Sequence, residues 1–159
     1  MIPASRLLLM STLAIRPATA DDLGPIVAML ADDPLGAQRE SPEDLAPYRA
    51  ALDQLTADPN QYLMVAVRDG RPVGTLQLTV IPGLSRRGTT RSVIEAVRIH
   101  ADERGSGLGT RLIGWAVDES RRRGCGLVQL TSDATRTDAH RFYERLGFTG
   151  SHIGFKLRL

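Results

Sequence analysis

The stretch Val97 to Thr110, V-R-I-H-A-D-E-R-G-S-G-L-G-T, constrains this chain more than any other. It starts as a β-branched, extended run, packs Gly105, Gly107 and Gly109 behind Arg104, and passes at once into a helical pattern. A strand that enters a helix through a glycine-rich turn makes an anion site. The first helical N–H groups have no intrahelical partner, and the helix dipole favours negative charge there. Glycine admits positive φ and lets a phosphate approach the backbone.

The elements around this turn imply one mixed α/β domain. Thr12 to Arg16 reads as a first strand, and Thr19 opens a helix with Asp22 in capping-box position. Ser41-Pro42-Glu43-Asp44 reads as a second helix start, running to about Leu55 with Pro47 in its early turns. Tyr62–Arg68 and Val73–Ile81 are strands joined by an Asp69-Gly70 hairpin turn, and Leu84–Thr90 is an arginine-bearing loop. Arg91–His100 is the fourth strand and Gly107–Arg123 the helix behind the turn. Leu127–Thr131 reads as an apolar strand buried on both faces, Asp138–Leu146 as a helix, and Ser151–Leu159 as a final strand whose edge is free to pair between subunits, giving a possible homodimer. Residues 1–11 read as a flexible extension. Their apolar run Leu7–Met10 is broken by Ser11, Thr12 and Arg16, which argues against a signal peptide, and Met10 is an alternative start.

Composition removes several classes. The 159 residues carry a net charge of +2 and 4% aromatic content, which argues against nucleic-acid binding. No run reaches membrane-span length, so no membrane partner is expected. Cys125 is the only cysteine, and His100, His140 and His152 are not spaced as metal ligands, so no metal and a reducing cytoplasmic setting are expected.

Three phosphate-binding patterns compete for the glycine turn. A P-loop needs Gly-Lys-Ser/Thr, and Lys156 is the only lysine. A dinucleotide fingerprint needs G-x-G-x-x-G directly after a strand, whereas the spacing is G-x-G-x-G with Ala101-Asp102-Glu103 interposed. The third pattern is R-x-x-G-x-G, present as Arg104-Gly105-Ser106-Gly107-Leu108-Gly109. It resembles the coenzyme A pyrophosphate loop of the GCN5-related N-acetyltransferase (GNAT) family. A second stretch, Ala139-His140-Arg141-Phe142-Tyr143-Glu144-Arg145-Leu146-Gly147-Phe148, resembles that family's A-x-x-x-Y-x-x-x-G-F helix. The resemblance covers roughly Ile15 to Leu159. It departs at Arg136, where many members carry asparagine seven positions before the tyrosine.

The resemblance implies the acyl-CoA N-acyltransferase fold over residues 12–159, a mixed, largely antiparallel central sheet flanked by helices. It implies transfer of the acetyl group of acetyl-CoA, as cosubstrate, to a primary amine by direct attack in a ternary complex. Backbone groups of Val97, Arg98 and Ile99 would hold the pantetheine arm, with the Ile99 N–H as oxyanion donor. Arg104, Gly105, Ser106, Gly107, Leu108, Gly109 and Thr110 would hold the pyrophosphate, and Arg136 would meet a coenzyme phosphate. Tyr143 is the candidate general acid for the departing thiolate. Glu95 is the candidate base; strand alternation places it on the same face as Ile99. An acyl-cysteine route through Cys125 lacks a histidine partner nearby in sequence. Two loops are candidate acceptor walls, Ser85-Arg86-Arg87-Gly88 with Arg91, and Asp33–Pro47 with Glu40, Glu43 and Asp44. Their opposite signs suit an acceptor bearing both charges, such as an amino acid or aminophosphonate. The size of the chain favours a small-molecule acceptor over a protein tail. The rival reading is a non-catalytic acyl-CoA-binding regulatory module with the same fold.

Overall fold

A computed structural model describes residues 12–159, so the expectation for the extension at 1–11 lies outside the described residues. The elements are β1 (Leu13–Pro17), α1 (Leu23–Ala31), α2 (Ala46–Ala57), β2 (Gln61–Arg68), β3 (Arg71–Ile81), the single turn α3 (Ser85–Gly88), β4 (Arg91–Ile99), α4 (Leu108–Arg122), β5 (Leu127–Leu130) and α5 (Thr137–Arg145). The strands form one sheet in the order β1-β2-β3-β4-β5. The first four run antiparallel, and β5 lies parallel to β4.

The sheet has two covered faces. Alternation along β2 sends Met64 and Ala66 to one side, where Leu76, Leu78 and Ile94 meet Leu108, Leu112, Ile113 and Ala116 of α4. Val65 points the other way, onto Ile26 and Met29 of α1. Ser92 and Ser120, both buried, share a 2.7 Å hydrogen bond that ties β4 to α4.

Local chemistry sets most of the boundaries. Asp69 and Gly70 both take positive φ, 50° and 80°, as a two-residue hairpin turn requires. Asp22 accepts from the backbone N–H of Thr19 at 2.8 Å, and a short 3₁₀ turn (Ala20–Asp22) precedes α1. The second helix starts at Ala46, not Ser41. From Ser41, Pro47 would sit in a helix interior and clash with a preceding carbonyl; starting at Ala46, it falls in the first turn, where no N–H is missed.

Two expected strands are corrected. β5 is not buried on both faces: Leu127 and Gln129 are exposed, because β5 is the sheet edge and pairs only with β4. Ser151–Leu159 forms no strand. Its alternating Ile153, Phe155, Leu157 and Leu159 are 83–117% exposed, and Gly154 passes Thr131 beyond the end of β5. The sheet edge expected to pair between subunits is therefore not formed by this segment.

Asp22 anchors the first layer. Its side chain is 5% exposed and takes a forked pair of bonds from Arg16, at 2.7 and 3.0 Å. That hydrogen bonding holds the carboxyl below its ordinary value, against the cost of burial. A lowered carboxyl stabilises the fold above the usual carboxylate range, and this contribution fades as pH falls through the lowered value. Arg16 is 43% exposed and returns to water when its partner is removed. Asp22→Asn is accordingly expected to cost about 2 kcal/mol at pH 7 and much less near pH 3, read by urea unfolding at both.

Candidate active site

The site is built where β4 outlasts its neighbour. Pairing with β5 covers only Arg91 to Ile94, while β4 continues to Ile99. On its other edge the register to β3 slips by one. Gln77 faces Glu95 but Thr75 faces Arg98, leaving an extra residue opposite Leu76. Ala96 marks the bulge with φ 51°.

This bulge corrects the expected placement of Glu95. Four positions from Ile99 would share a face in a regular strand, but the extra residue inverts the parity between them. Ile99 packs with Val97 on the α4 side, whereas Glu95 lies exposed on the α1/α2 side, opposite Gln77. The two are therefore on opposite faces. Backbone directions follow from the same register. The His100 N–H donates to the Val73 carbonyl of β3 at 2.8 Å, so alternation turns the Ile99 N–H away from β3, into the gap.

The glycine turn lies at the end of the same strand. Ile99 is followed by a 3₁₀ turn (Ala101–Glu103) and then by Gly105 and Gly107, at φ 79° and 84°. Gly107 caps α4 in the left-handed region with no side-chain cap bond. The first bond of the helix runs from Arg111 N–H to the Gly107 carbonyl, so the amides of Leu108, Gly109 and Thr110 have no partner within the helix. Added Cβ atoms at Gly105 and Gly107 would meet nothing within 4 Å, so the space before the helix is open. Gly109 is a different case, since its Cβ would come within 3.3 Å of the Phe142 ring, which would have to give by a few tenths of an ångström.

Two neighbouring carboxylates that sequence reasoning missed engage the arginines here. Asp32 pairs with Arg104 at 2.7 Å, both about half exposed. Asp33 pairs with Arg98 at 3.1 Å, both largely buried. Burial opposes ionisation of Asp33, but the Gly36 N–H, Arg98 and Arg136 outweigh it and hold the carboxyl below its ordinary value. Arg98 also donates to the Val97 carbonyl, and its buried Nε has no hydrogen-bond partner. Arg136 stands exposed immediately before α5.

Tyr143 is half-buried on α5, edge-on to Phe142 and Phe148 at 5.2 and 5.9 Å between ring centres. Burial pushes its phenol above its ordinary value, while Arg136 and Arg98 pull it back. The phenol therefore keeps its proton at neutral pH and lies within the field of both cations.

Open amides at a helix start, positive-φ glycines and a cluster of arginines suit a pyrophosphate; a strand edge without its neighbour suits an amide-bearing arm. A family profile described as the acetyltransferase (GNAT) family matches residues 26–148. The chain belongs to the GNAT family. An aminoalkylphosphonate N-acetyltransferase of Salmonella typhimurium is 30% identical over 89% of this chain and 88% of its own. A glucosamine 6-phosphate N-acetyltransferase of Trypanosoma brucei brucei is 37% identical over 57% of this chain and 59% of its own. A crystal structure described as a transcriptional regulator from Bacillus halodurans C-125 superposes with TM-score 0.90 at 45% identity, covering 93% of this chain and 100% of that one. This GNAT protein is an acetyl-CoA-dependent N-acetyltransferase.

The remaining candidates are engaged in other local contacts. Cys125 precedes β5 at the end opposite to the gap, and its N–H donates to Ser120. His100 accepts from the Asp102 N–H, His140 bonds the Asp133 carbonyl and His152 bonds Ser151. Among the described residues no group of three or more His, Cys, Asp or Glu is placed to hold a metal, and no helix is long and apolar enough to cross a membrane. In the basic loop, Arg86 and Arg87 take left-handed backbone in α3 and stand exposed.

Proposed function

We propose that this acetyltransferase acetylates a small primary amine by direct attack within a ternary complex. The observation that carries the proposal is the gap beyond Ile94, where β4 has lost β5 and the Ile99 N–H points inward. Backbone groups of Val97 and Ile99 receive the pantetheine arm, and the Ile99 N–H polarises the thioester carbonyl; the Arg98 backbone, expected to join them, is turned to Thr75 of β3 by the same alternation. Arg104 to Thr110 receive the pyrophosphate through the free amides of α4. Arg136, with Arg98, adds positive charge beside Tyr143.

The amine nitrogen attacks the thioester carbon, forming the C–N bond while the C–S bond breaks. Tyr143 passes its phenolic proton to the departing thiolate. One ammonium proton leaves before attack, to Glu95 directly or through water, and the second leaves the nitrogen as the C–S bond breaks, restoring the Tyr143 phenol. Because Glu95 is on the opposite face from Ile99, it serves the incoming amine and not the thioester. The names of the two curated relatives, which specify small amines, support a small-molecule acceptor.

Initial rates with both substrates varied test the order of events. Intersecting double-reciprocal lines are expected; parallel lines, the mark of an acyl-enzyme, would overturn direct attack.

The Asp32–Arg104 pair makes a separate prediction. The carboxylate competes with pyrophosphate for the guanidinium, but an exposed pair is worth little. Asp32→Asn should tighten coenzyme A binding about two- to fivefold, and Arg104→Ala should weaken it about tenfold, both by calorimetry.

A further inference from the structure

A cavity of about 140 Å³ lies between α1, α2 and the sheet, on the face that carries Glu95. Its walls are Ile26, Leu30, Leu52, Leu55 and Leu63, all apolar. Interiors pack closely enough that voids larger than a water are few, and a dry apolar cavity of about 150 Å³ holds one benzene. The space therefore fits about five or six carbon atoms.

The rim is polar, and its hydroxyl donors are spent. Thr75 donates its hydroxyl to the Met64 carbonyl at 2.9 Å. Tyr48 donates to Glu40 and accepts from the Ser41 N–H. Gln77 donates its amide nitrogen to Gln61, whose oxygen also accepts from Thr79. That leaves the Gln77 Oε1 as an acceptor and one of its amide N–H groups as a donor, with Glu95 directly across the β3–β4 ladder from Gln77. Ala96, the bulge residue, completes the rim beside the gap.

We infer that the acceptor is a primary amine with a compact apolar body, its alkyl group seated in this cavity and its nitrogen held at the rim by Glu95 and Gln77. This deepens the proposed N-acetyl transfer and rests on it. An apolar floor with a carboxylate and an amide oxygen at its mouth matches an ammonium head on an alkyl tail. A sugar or a phosphoryl group placed there would leave its own polar atoms without partners.

The test is kcat/KM for a series of unbranched amines from methylamine to octylamine at saturating acetyl-CoA. Each added methylene should raise the value about fourfold up to about five or six carbons, after which it levels or falls. Leu52→Ala enlarges the cavity and should move the maximum to longer chains; Leu55→Trp fills it and should flatten the series. Circular dichroism confirms that each variant is folded, and the wild-type series decides the matter if a variant is not. Turnover that is indifferent to chain length overturns the apolar seat while leaving the acetyltransfer reading standing. So does a variant that scales every amine equally, which marks a mere packing gap. Absence of turnover with any amine overturns the acetyltransfer reading and the seat together.

Discussion

Replacing Tyr143 with phenylalanine should lower kcat about a hundredfold while moving the dissociation constant of coenzyme A by less than about twofold. The size follows from the role. A thiolate expelled into a half-buried cleft is a poor leaving group without a proton, and a positioned acid contributes about two to four powers of ten. The phenol is suited to it because burial keeps it protonated at neutral pH, with Arg136 and Arg98 near enough to favour the anion once the proton has moved. Phenylalanine retains the edge contacts to Phe142 and Phe148, so the fold should tolerate it. If Tyr143 were only a core aromatic, kcat would be unchanged. Arg136→Ala gives a companion signature. It removes one of the two cations that lower the Tyr143 phenol, so the alkaline limb of the rate profile should move to higher pH.

Gly107→Val should weaken coenzyme A binding by about a hundredfold or more and lower Tm by several degrees. Gly107 caps α4 at φ 84°, a conformation a β-branched residue adopts only under strain, at a cost of order 1–3 kcal/mol. In a domain of this size each kcal/mol is worth about 2–4 °C. Relaxing that strain turns the amides of Leu108, Gly109 and Thr110 out of line, which removes several charge-assisted bonds to a pyrophosphate at once. Saturating acetyl-CoA should restore most of kcat, since the reacting groups are on β4 and α5. Calorimetry for binding and a thermal melt for the fold separate the two effects.

The local structure around these two residues was legible in the sequence. Gly107 lies in a glycine-rich turn between a strand and a helix, and the role proposed for Tyr143 rests on the resemblance of Ala139–Phe148 to the GNAT family's helix. Thr19 with Asp22, and Asp69 with Gly70, were equally readable, because caps and hairpin turns are settled by neighbouring residues.

What escaped was set by contacts across the chain. The bulge at Ala96 inverted the face of Glu95. Its trace lies in the positions that face α4, which fall on even numbers at Ser92 and Ile94 and on odd numbers at Val97 and Ile99. Nothing local marks Asp32 and Asp33 as partners for arginines more than sixty residues away. The alternation of Ile153 to Leu159 was readable as a strand pattern, but alternation specifies faces and not a neighbour to bond, and the structure gives that segment none. The apolar cavity is likewise invisible until α1 and α2 are laid on the sheet.

The most direct measurement of the central claim is acetyl-CoA-dependent thiol release across a panel of small primary amines, including alkylamines, amino acids, amino sugars and aminoalkylphosphonates. Product is identified by mass spectrometry. The expected result is thiol release that requires an amine and equals the N-acetylated product formed, falling about a hundredfold in Tyr143→Phe. Tight coenzyme A binding with no amine-dependent thiol release would contradict it and leave a regulatory acyl-CoA-binding module in its place.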